Sequence, residues 1–414
     1  MKIAMFSDCY LDFTGGIVSS INAQKAELEK LGHTVYVFTT GFPRKEPELR
    51  RLREQHIYMV PSLKVFFRGI APISRRPAII EKWLIANFPE LKDFDIFHSH
   101  YEAGCSIAGM RLGRKFGVPV VQTMHGREDA GEEKIIPRGF RTIVAMILNT
   151  MHGWYLPHNL EVEKDEYLAT TKARAKMWTM MVNHANYADA VVTPSRHFRK
   201  KLEHYGVKRK IKVVSNGVDD EMVVKKVKIH ELEPGEPLKI IWHSRLSAEK
   251  RIMTFLEALG RVEGDYQLDI YGDGEEMMKA QAYAKLKKLK VNFHGVETVE
   301  KVHQKLDEVD LDVLVSYGFD NQPMTILEAR AAGVPVLYCD PDMTEIVPSG
   351  GGVMTSSGNA AAIAKALDEI ISHPERIREM SEAMIATRDE VRQSRVIEDL
   401  LEVYEKAKSG IIKA

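Results

Sequence analysis

The chain is short of cysteine, of net charge and of long apolar runs. Its three cysteines, Cys9, Cys105 and Cys339, stand far apart and odd in number. They form neither a disulfide framework nor the paired spacing of a zinc site, so a reducing compartment, the cytoplasm, is expected. No apolar run approaches the ~20 residues that cross a bilayer. The opening residues, Met1 to Asp8, reach a charge too early for the apolar centre of a signal peptide. The GxGxxG turn of dinucleotide binders is missing, which argues against a nicotinamide enzyme.

A globular protein is what remains. The 414 residues are 44% apolar, ordinary for a packed core and too much for a disordered chain. The length suits two to three domains, since single cores stop growing near roughly 250–300 residues. The formal charge of zero hides a split: residues 1–220 carry 33 basic and 24 acidic side chains, and residues 221–414 carry 25 and 34. A basic first half attracts anionic partners such as phosphates or an acidic lipid surface; the alternative is internal pairing between the halves.

Short runs rich in Val, Ile, Phe and Tyr recur in both halves. They are 2–8, 34–40, 94–100, 119–125, 190–195 and 211–217, then 238–245, 266–274, 291–296, 311–318, 335–340 and 351–355. Several are apolar almost throughout, as strands buried on both faces should be. Helical patterns lie between them, at 17–31, 103–116, 275–289, 324–332, 360–371 and 374–387, several closed by glycine. Strand–helix alternation predicts parallel sheets with right-handed crossovers. The fold class expected is α/β, with two Rossmann-like doubly wound domains facing across a cleft. The first domain is expected over 1–217 and the second over 238–392. The charged, Pro-Gly-containing stretch 218–237 reads as a linker, and 393–414 as a C-terminal helix packing back toward the first domain.

Ligands of such sheets bind beyond the carboxyl ends of the strands, so the residues there carry the chemistry. Gly15-Gly16 opens a helix after the first strand and would admit an anion to free N–H groups. Arg245 and Lys250 follow the first strand of the second half; a planar fork and a point charge together suit a diphosphate. Gly272-Asp273-Gly274 ends the next strand. His294-Gly295-Val296 ends the one after, where main-chain groups suit a planar base. Ser316 to Ala329 leaves a strand, turns and opens a helix, placing the carboxylates of Asp320 and Glu328 eight residues apart as acceptors for vicinal hydroxyls.

Taken in order, Gly15-Gly16, Phe97-His98-Ser99-His100, His125, Val192-Thr193-Pro194-Ser195, Val214 to Val218, the Arg245 and Lys250 pair, Gly272-Asp273-Gly274 and the Asp320 and Glu328 pair are collinear over nearly the whole chain. The set resembles the retaining glycosyltransferases of family four, with the GT-B architecture. The Asn-Gln and Met-Thr context after Asp320 is similar to glycolipid synthases that glucosylate diacylglycerol. Two positions depart from the family pattern. Asp320 stands where Glu is usual, one methylene shorter, and Pro323 where glycine is common, with no N–H to offer a hydroxyl.

The resemblance implies an NDP-sugar donor, UDP-glucose first among them, held mainly by the second domain. Glu328 would bind the ribose diol, and Arg245 and Lys250 would meet the diphosphate and its developing charge. Asp320, Gln322, Met324 and Thr325 would hold the donor beyond it, with Gly15, Gly16, Gly272 and Val296 lining the nucleotide. His125 matches a histidine that contacts the donor sugar. Retention by front-face displacement is implied. No cofactor and no metal are expected, the cationic side chains standing in for one. Asp310-Leu311-Asp312 has DxD form but leads into a buried strand.

The acceptor side is read from composition. Residues 60–84 interleave Lys64, Arg68, Arg75, Arg76 and Lys82 with Phe66, Phe67 and Trp83, which suits an anionic membrane surface. Ile143, Ile147, Met151 and Trp154 form one helical stripe that would serve as core, membrane face or acceptor channel. The expected reaction is hexose transfer to a lipid acceptor such as 1,2-diacylglycerol by an enzyme peripherally bound at the inner membrane face, with no nucleic-acid partner. The residues leave open a soluble, polyprenyl-linked or polysaccharide acceptor, a sugar-nucleotide epimerase and a non-catalytic sugar-nucleotide-binding protein.

Overall fold

The computed structural model describes residues 1–8, 11, 15–63, 73–127, 129, 136 and 139–410. The chain forms two compact units, residues 1–215 with 396–414, and residues 216–395.

The first unit carries β1 (Lys2–Ser7), β2 (Thr34–Thr39), β3 (Ile57–Met59), β4 (Ser62–Leu63), β5 (Ile73–Ser74), β6 (Ile96–Ser99), β7 (Val120–Thr123), β8 (Ala190–Thr193) and β9 (Ile211–Val213). Seven of these make one parallel sheet in the order β3-β2-β1-β6-β7-β8-β9, and β4 and β5 form a small antiparallel pair. Alternation along β1 explains the two-sided core. Ala4 and Phe6 pack with Phe38 and Phe97 under helix Gly104–Phe116, while Ile3 and Met5 face Val35, Val37 and Ile96 on the other side. That second face is closed by helix Gln393–Lys408, whose Val396, Ile397, Leu400, Val403 and Tyr404 are buried against it.

The second unit carries β10 (Leu238–His243), β11 (Tyr266–Tyr271), β12 (Val291–Gly295), β13 (Leu311–Leu314), β14 (Val336–Tyr338) and β15 (Gly352–Met354), all parallel in the order β12-β11-β10-β13-β14-β15. Both sheets thus run outward from their first strand and then reverse, the doubly wound pattern. The reversal falls between β1 and β6 in one unit and between β10 and β13 in the other.

Residues 218–237, marked as a linker by composition, lie within the second unit. Helix Asp220–Val224 packs Val223 into its core, the Val218 N–H donates to the Val391 carbonyl at 2.9 Å, and His230 is buried with Nδ1 2.6 Å from the Val309 carbonyl oxygen. Strand β3 and the helices Glu46–Glu54, Lys172–Tyr187, Arg196–His204, Ile252–Leu259 and Val299–Leu306 add to the elements that the sequence pattern marks.

Candidate active site

In the second unit the sheet reverses between β10 and β13, and the loops leaving these strands carry the predicted cations and carboxylates. Lys250 and Asp320 meet directly, Nζ to Oδ1 at 2.6 Å, both nearly buried. The other Asp320 oxygen accepts from the Ser316 hydroxyl. Asp320 is therefore held on both oxygens, and the Lys250 ammonium also lies 5.8 Å from the Phe319 ring centroid. Arg245 is more open, with its side chain 48% exposed and one guanidinium nitrogen 3.1 Å from Glu249. A half-exposed guanidinium on a strand-end loop retains donors for an anion.

Glu328, on helix Met324–Ala332, faces the end of β10. Its Oε2 lies 3.3 Å from Nδ1 of His243, the last residue of β10, and its Oε1 lies 4.0 Å from Nε2 of His303. The far nitrogen of His243 lies 3.3 Å from Asp312 on β13. Burial works to keep a carboxyl such as Glu328 neutral, but the facing imidazoles outweigh it and hold its pKa down at about 2. Burial likewise opposes charge on His243, and the two carboxylates reverse that, raising it to about 10. The sequence pattern gives His243, Asp312 and His303 no part beside Glu328: strand register sets His243 against Asp312, and helix packing brings Glu328 and His303 together, whereas Ser316 reaches Asp320 four residues along one loop.

The glycines have a local cause. Gly272 sits at φ +134°, and an added Cβ would fall 2.3 Å from the Ser244 carbonyl oxygen; one on Gly274 would fall 2.3 Å from that of Leu246. The loops after β10 and β11 thus pack backbone to backbone, which only glycine permits. Val296 follows β12 and is 68% exposed, beside the stacked rings of Tyr271 and His294. Gln322 is engaged within the unit, its Oε1 accepting from the Asn216 N–H at 2.6 Å. Pro323 caps the helix that Met324 and Thr325 open, and the buried Thr325 hydroxyl has no partner among the described residues. Of the DxD carboxylates, Asp310 accepts from the Lys239 N–H at the opposite end of β13, and Asp312 is committed to His243. Among the described residues no group of His, Cys, Asp and Glu is arranged to hold a metal.

In the first unit, His125 follows β7 and is partly buried. Its Nε2 lies 3.1 Å from Nδ1 of His100, whose ring centroid lies 3.9 Å from that of His98, the two planes tilted by 40°. His98 bridges Thr123 and Tyr404 of the C-terminal helix, each at 2.7 Å. Burial lowers the pKa of His125 to about 4 and of His98 to about 3, so both rings are neutral near pH 7. Gly16 begins helix Gly16–Lys30, and a Cβ on Gly15 would meet open space.

Of the acceptor-side residues, Phe66, Phe67 and Arg68 lie outside the described residues. Arg75 and Arg76 are exposed before helix Pro77–Asn87. Trp83 is partly core, packed 5.5 Å from Phe88. Helix Arg141–Gly153 buries Ala145 against Ala173, Met177 and Met180 of helix Lys172–Tyr187. Its other face is open: Phe140, Ile143, Met146, Ile147, Met151 and Trp154 are all exposed, Trp154 at 69%. The stripe is therefore surface rather than core. No described helix is long and apolar enough to cross a membrane.

Two family models account for the chain, Glycosyltransferase Family 4 over residues 14–222 and Glycosyl transferases group 1 over 224–387. The alpha-monoglucosyldiacylglycerol synthase of Streptococcus pneumoniae is 25% identical over 81% of this chain and 70% of its own length. A lipopolysaccharide 1,6-galactosyltransferase of Salmonella typhimurium is 30% identical over 46% of this chain and 53% of its own. Among solved structures, Anabaena HepE in complex with UDP shares the fold, with a TM-score of 0.69 at 15% identity, covering 98% of this chain and 100% of that one. The chain belongs to glycosyltransferase family 4, with the GT-B fold, and is a hexosyltransferase related to glycolipid synthases.

Proposed function

We propose that the chain transfers a hexose from a nucleotide-sugar donor, UDP-glucose foremost, to a lipid acceptor such as 1,2-diacylglycerol, with retention of anomeric configuration. The observation that carries this reading is the meeting of Lys250 with Asp320, and of His243 with Glu328, beyond the carboxyl ends of β10 and β13. There the sheet reverses, and doubly wound folds bind nucleotides at that point. Glu328 accepts from the ribose diol. Arg245 and Lys250 take the diphosphate and the charge that grows on it as the glycosidic bond breaks. Lys250 then turns from Asp320 toward phosphate, which frees a carboxylate oxygen for donor-sugar hydroxyls. The departing phosphate accepts the acceptor's proton on the same face. His125, neutral at working pH, offers the sugar a hydrogen bond rather than a charge. The two cations make a metal unnecessary, so activity is expected to survive EDTA.

The names of the diacylglycerol synthase relatives and the exposed apolar face of helix Arg141–Gly153 support the lipid acceptor and peripheral attachment to an anionic membrane face. A saccharide acceptor is the second reading, supported by the lipopolysaccharide galactosyltransferase relatives. The test is to incubate purified protein with UDP-, GDP- and ADP-sugars and vesicles containing diacylglycerol, and to weigh the products. A lipid-linked hexose, lost in Glu328→Ala, is the expected result. Transfer only to added saccharide would replace the first reading with the second.

A further inference from the structure

Asp312, His243 and Glu328 form a line of carboxylate, imidazole and carboxylate across two adjacent strands and one helix, with both outer contacts at 3.3 Å. The side chains of Asp312 and His243 are 1% and 4% exposed and that of Glu328 is 18%, so only the last reaches a ligand. Register explains the alignment: Ile241 of β10 pairs with Asp312 of β13, and His243 lies two residues further along the same face.

The geometry sets the protonation state. A neutral imidazole has one N–H and one lone pair, and that lone pair would face a carboxylate oxygen here. A buried carboxylate without a donor is strongly disfavoured. A carboxylate oxygen faces each nitrogen at 3.3 Å, and since Nε2 of His243 and Oδ2 of Asp312 are buried with no hydrogen-bond partner among the described residues, charge attraction across both gaps requires hydrogen on both nitrogens. Asp312 is fixed in turn, because its Oδ1 accepts from the Val313 N–H at 2.8 Å. The remaining titratable neighbour of Glu328 is His303, from helix Val299–Leu306, 4.0 Å from the other oxygen.

We infer that His243 is a positioning residue for nucleotide recognition: as an imidazolium anchored by Asp312, it holds the Glu328 carboxylate ionised and oriented for the 2′,3′-diol of the donor's ribose. The inference rests on the donor reading above and extends it. The nucleotide makes no contact with His243 or Asp312. Of these three side chains it meets Glu328 alone, whose Oε2 is engaged from behind by His243 at 3.3 Å while His303 stands 4.0 Å from Oε1. Discrimination between ribose and deoxyribose is therefore made by Glu328 and tuned by two residues that the ligand never touches.

The test uses the nucleoside diphosphate, among UDP, GDP and ADP, that the wild-type protein binds most tightly, and its 2′-deoxy counterpart. Calorimetry should show the wild type preferring the ribonucleotide by roughly tenfold to a hundredfold, the span of one charge-assisted hydrogen bond. In His243→Gln the ratio should fall to about threefold or less. The apparent KM for the donor should rise while kcat changes little. A purely structural role would weaken both nucleotides equally and leave their ratio intact, which would overturn the inference. Asp312→Asn supplies a second variant. It should keep the preference near about pH 6 and lose it by about pH 9, as the ring gives up its proton. Nitrogen-15 spectra of the histidine rings give a readout independent of turnover, and a singly protonated His243 at about pH 8 in the wild type would also overturn the inference. If the wild type binds none of the three diphosphates, the donor reading falls together with the inference; if it binds one and His243→Gln keeps the ratio, only the inference falls.

Discussion

His243 carries the sharpest consequence for pH at the residue scale. Its folded pKa of about 10 lies above the ordinary 6.5, so its contribution to stability is complete below pH 6.5 and disappears as pH rises through about 10. Glu328 behaves in mirror image: with a folded pKa of about 2 against 4.5, its contribution is complete above pH 4.5 and is lost as pH falls through about 2. The stability difference between wild type and His243→Gln should thus be largest between 4.5 and 6.5 and should shrink toward pH 10, as thermal melts across that range would reveal. A difference that stays flat from pH 6 to about pH 10 would show that the ring is not charged. The carboxylates themselves were readable from their spacing on a strand–turn–helix run, but their partners were not. His243 and Asp312 are 69 positions apart in sequence. The resemblance points Lys250 to phosphate and Asp320 to sugar, whereas their mutual contact at 2.6 Å depends on how two loops converge.

Helix Arg141–Gly153 and helix Gln393–Lys408 are opposite cases at the scale of elements. The first shows six large apolar side chains to solvent, if Phe140 and Trp154 at its ends are included. Replacing Ile143, Ile147 and Trp154 together by Ser should abolish pelleting with anionic vesicles and leave the melting temperature within a few degrees, because the removed groups bury little in the free protein. A large loss of stability would mean that this face is packed. The second helix is bound tightly. Leu400 is 1% exposed, and Leu400→Ala should cost about 2–5 kcal/mol by chemical denaturation. Tyr404→Phe removes the hydroxyl partner of His98 and should cost about 1–3 kcal/mol, since the buried imidazole nitrogen is left without its partner. Periodicity predicted both stripes, but a stripe records only that one face is apolar. What covers that face is a tertiary matter: a sheet lies against Leu400, and no described residue covers Ile147 to the same degree.

Across the whole molecule, histidines divide the two units. The first unit buries His98, His100, His125, His152 and His184 as neutral rings, chiefly because burial disfavours the charge: it lowers His98 and His184 to about 3 and His125 to about 4, and holds His100 and His152 well below the ordinary 6.5. His152 and His184 lie 3.0 Å apart in a chain that runs from His158 to Gln122. As pH falls below 6.5 the unfolded chain takes up protons that these rings refuse, so stability declines. The second unit holds His243 already protonated, and burial lowers His230 there as it lowers the rings of the first. Residues 1–215 should therefore lose hydrogen-exchange protection before residues 216–395 when the protein is brought to about pH 5. Simultaneous loss, or the reverse order, would contradict this account.

The alternation of buried strand and amphipathic helix determined, from sequence alone, two parallel sheets and the strand ends where chemistry belongs, because period and burial are local properties of the chain. The family motifs, collinear over nearly the whole length, determined the enzyme class for the same reason. Tertiary structure decided which ions pair at those strand ends, that residues 218–237 pack as part of the second unit, and that the 141–153 stripe faces outward. Each of these depends on strand register or on the approach of segments distant in sequence, and no periodicity along the chain encodes such contacts.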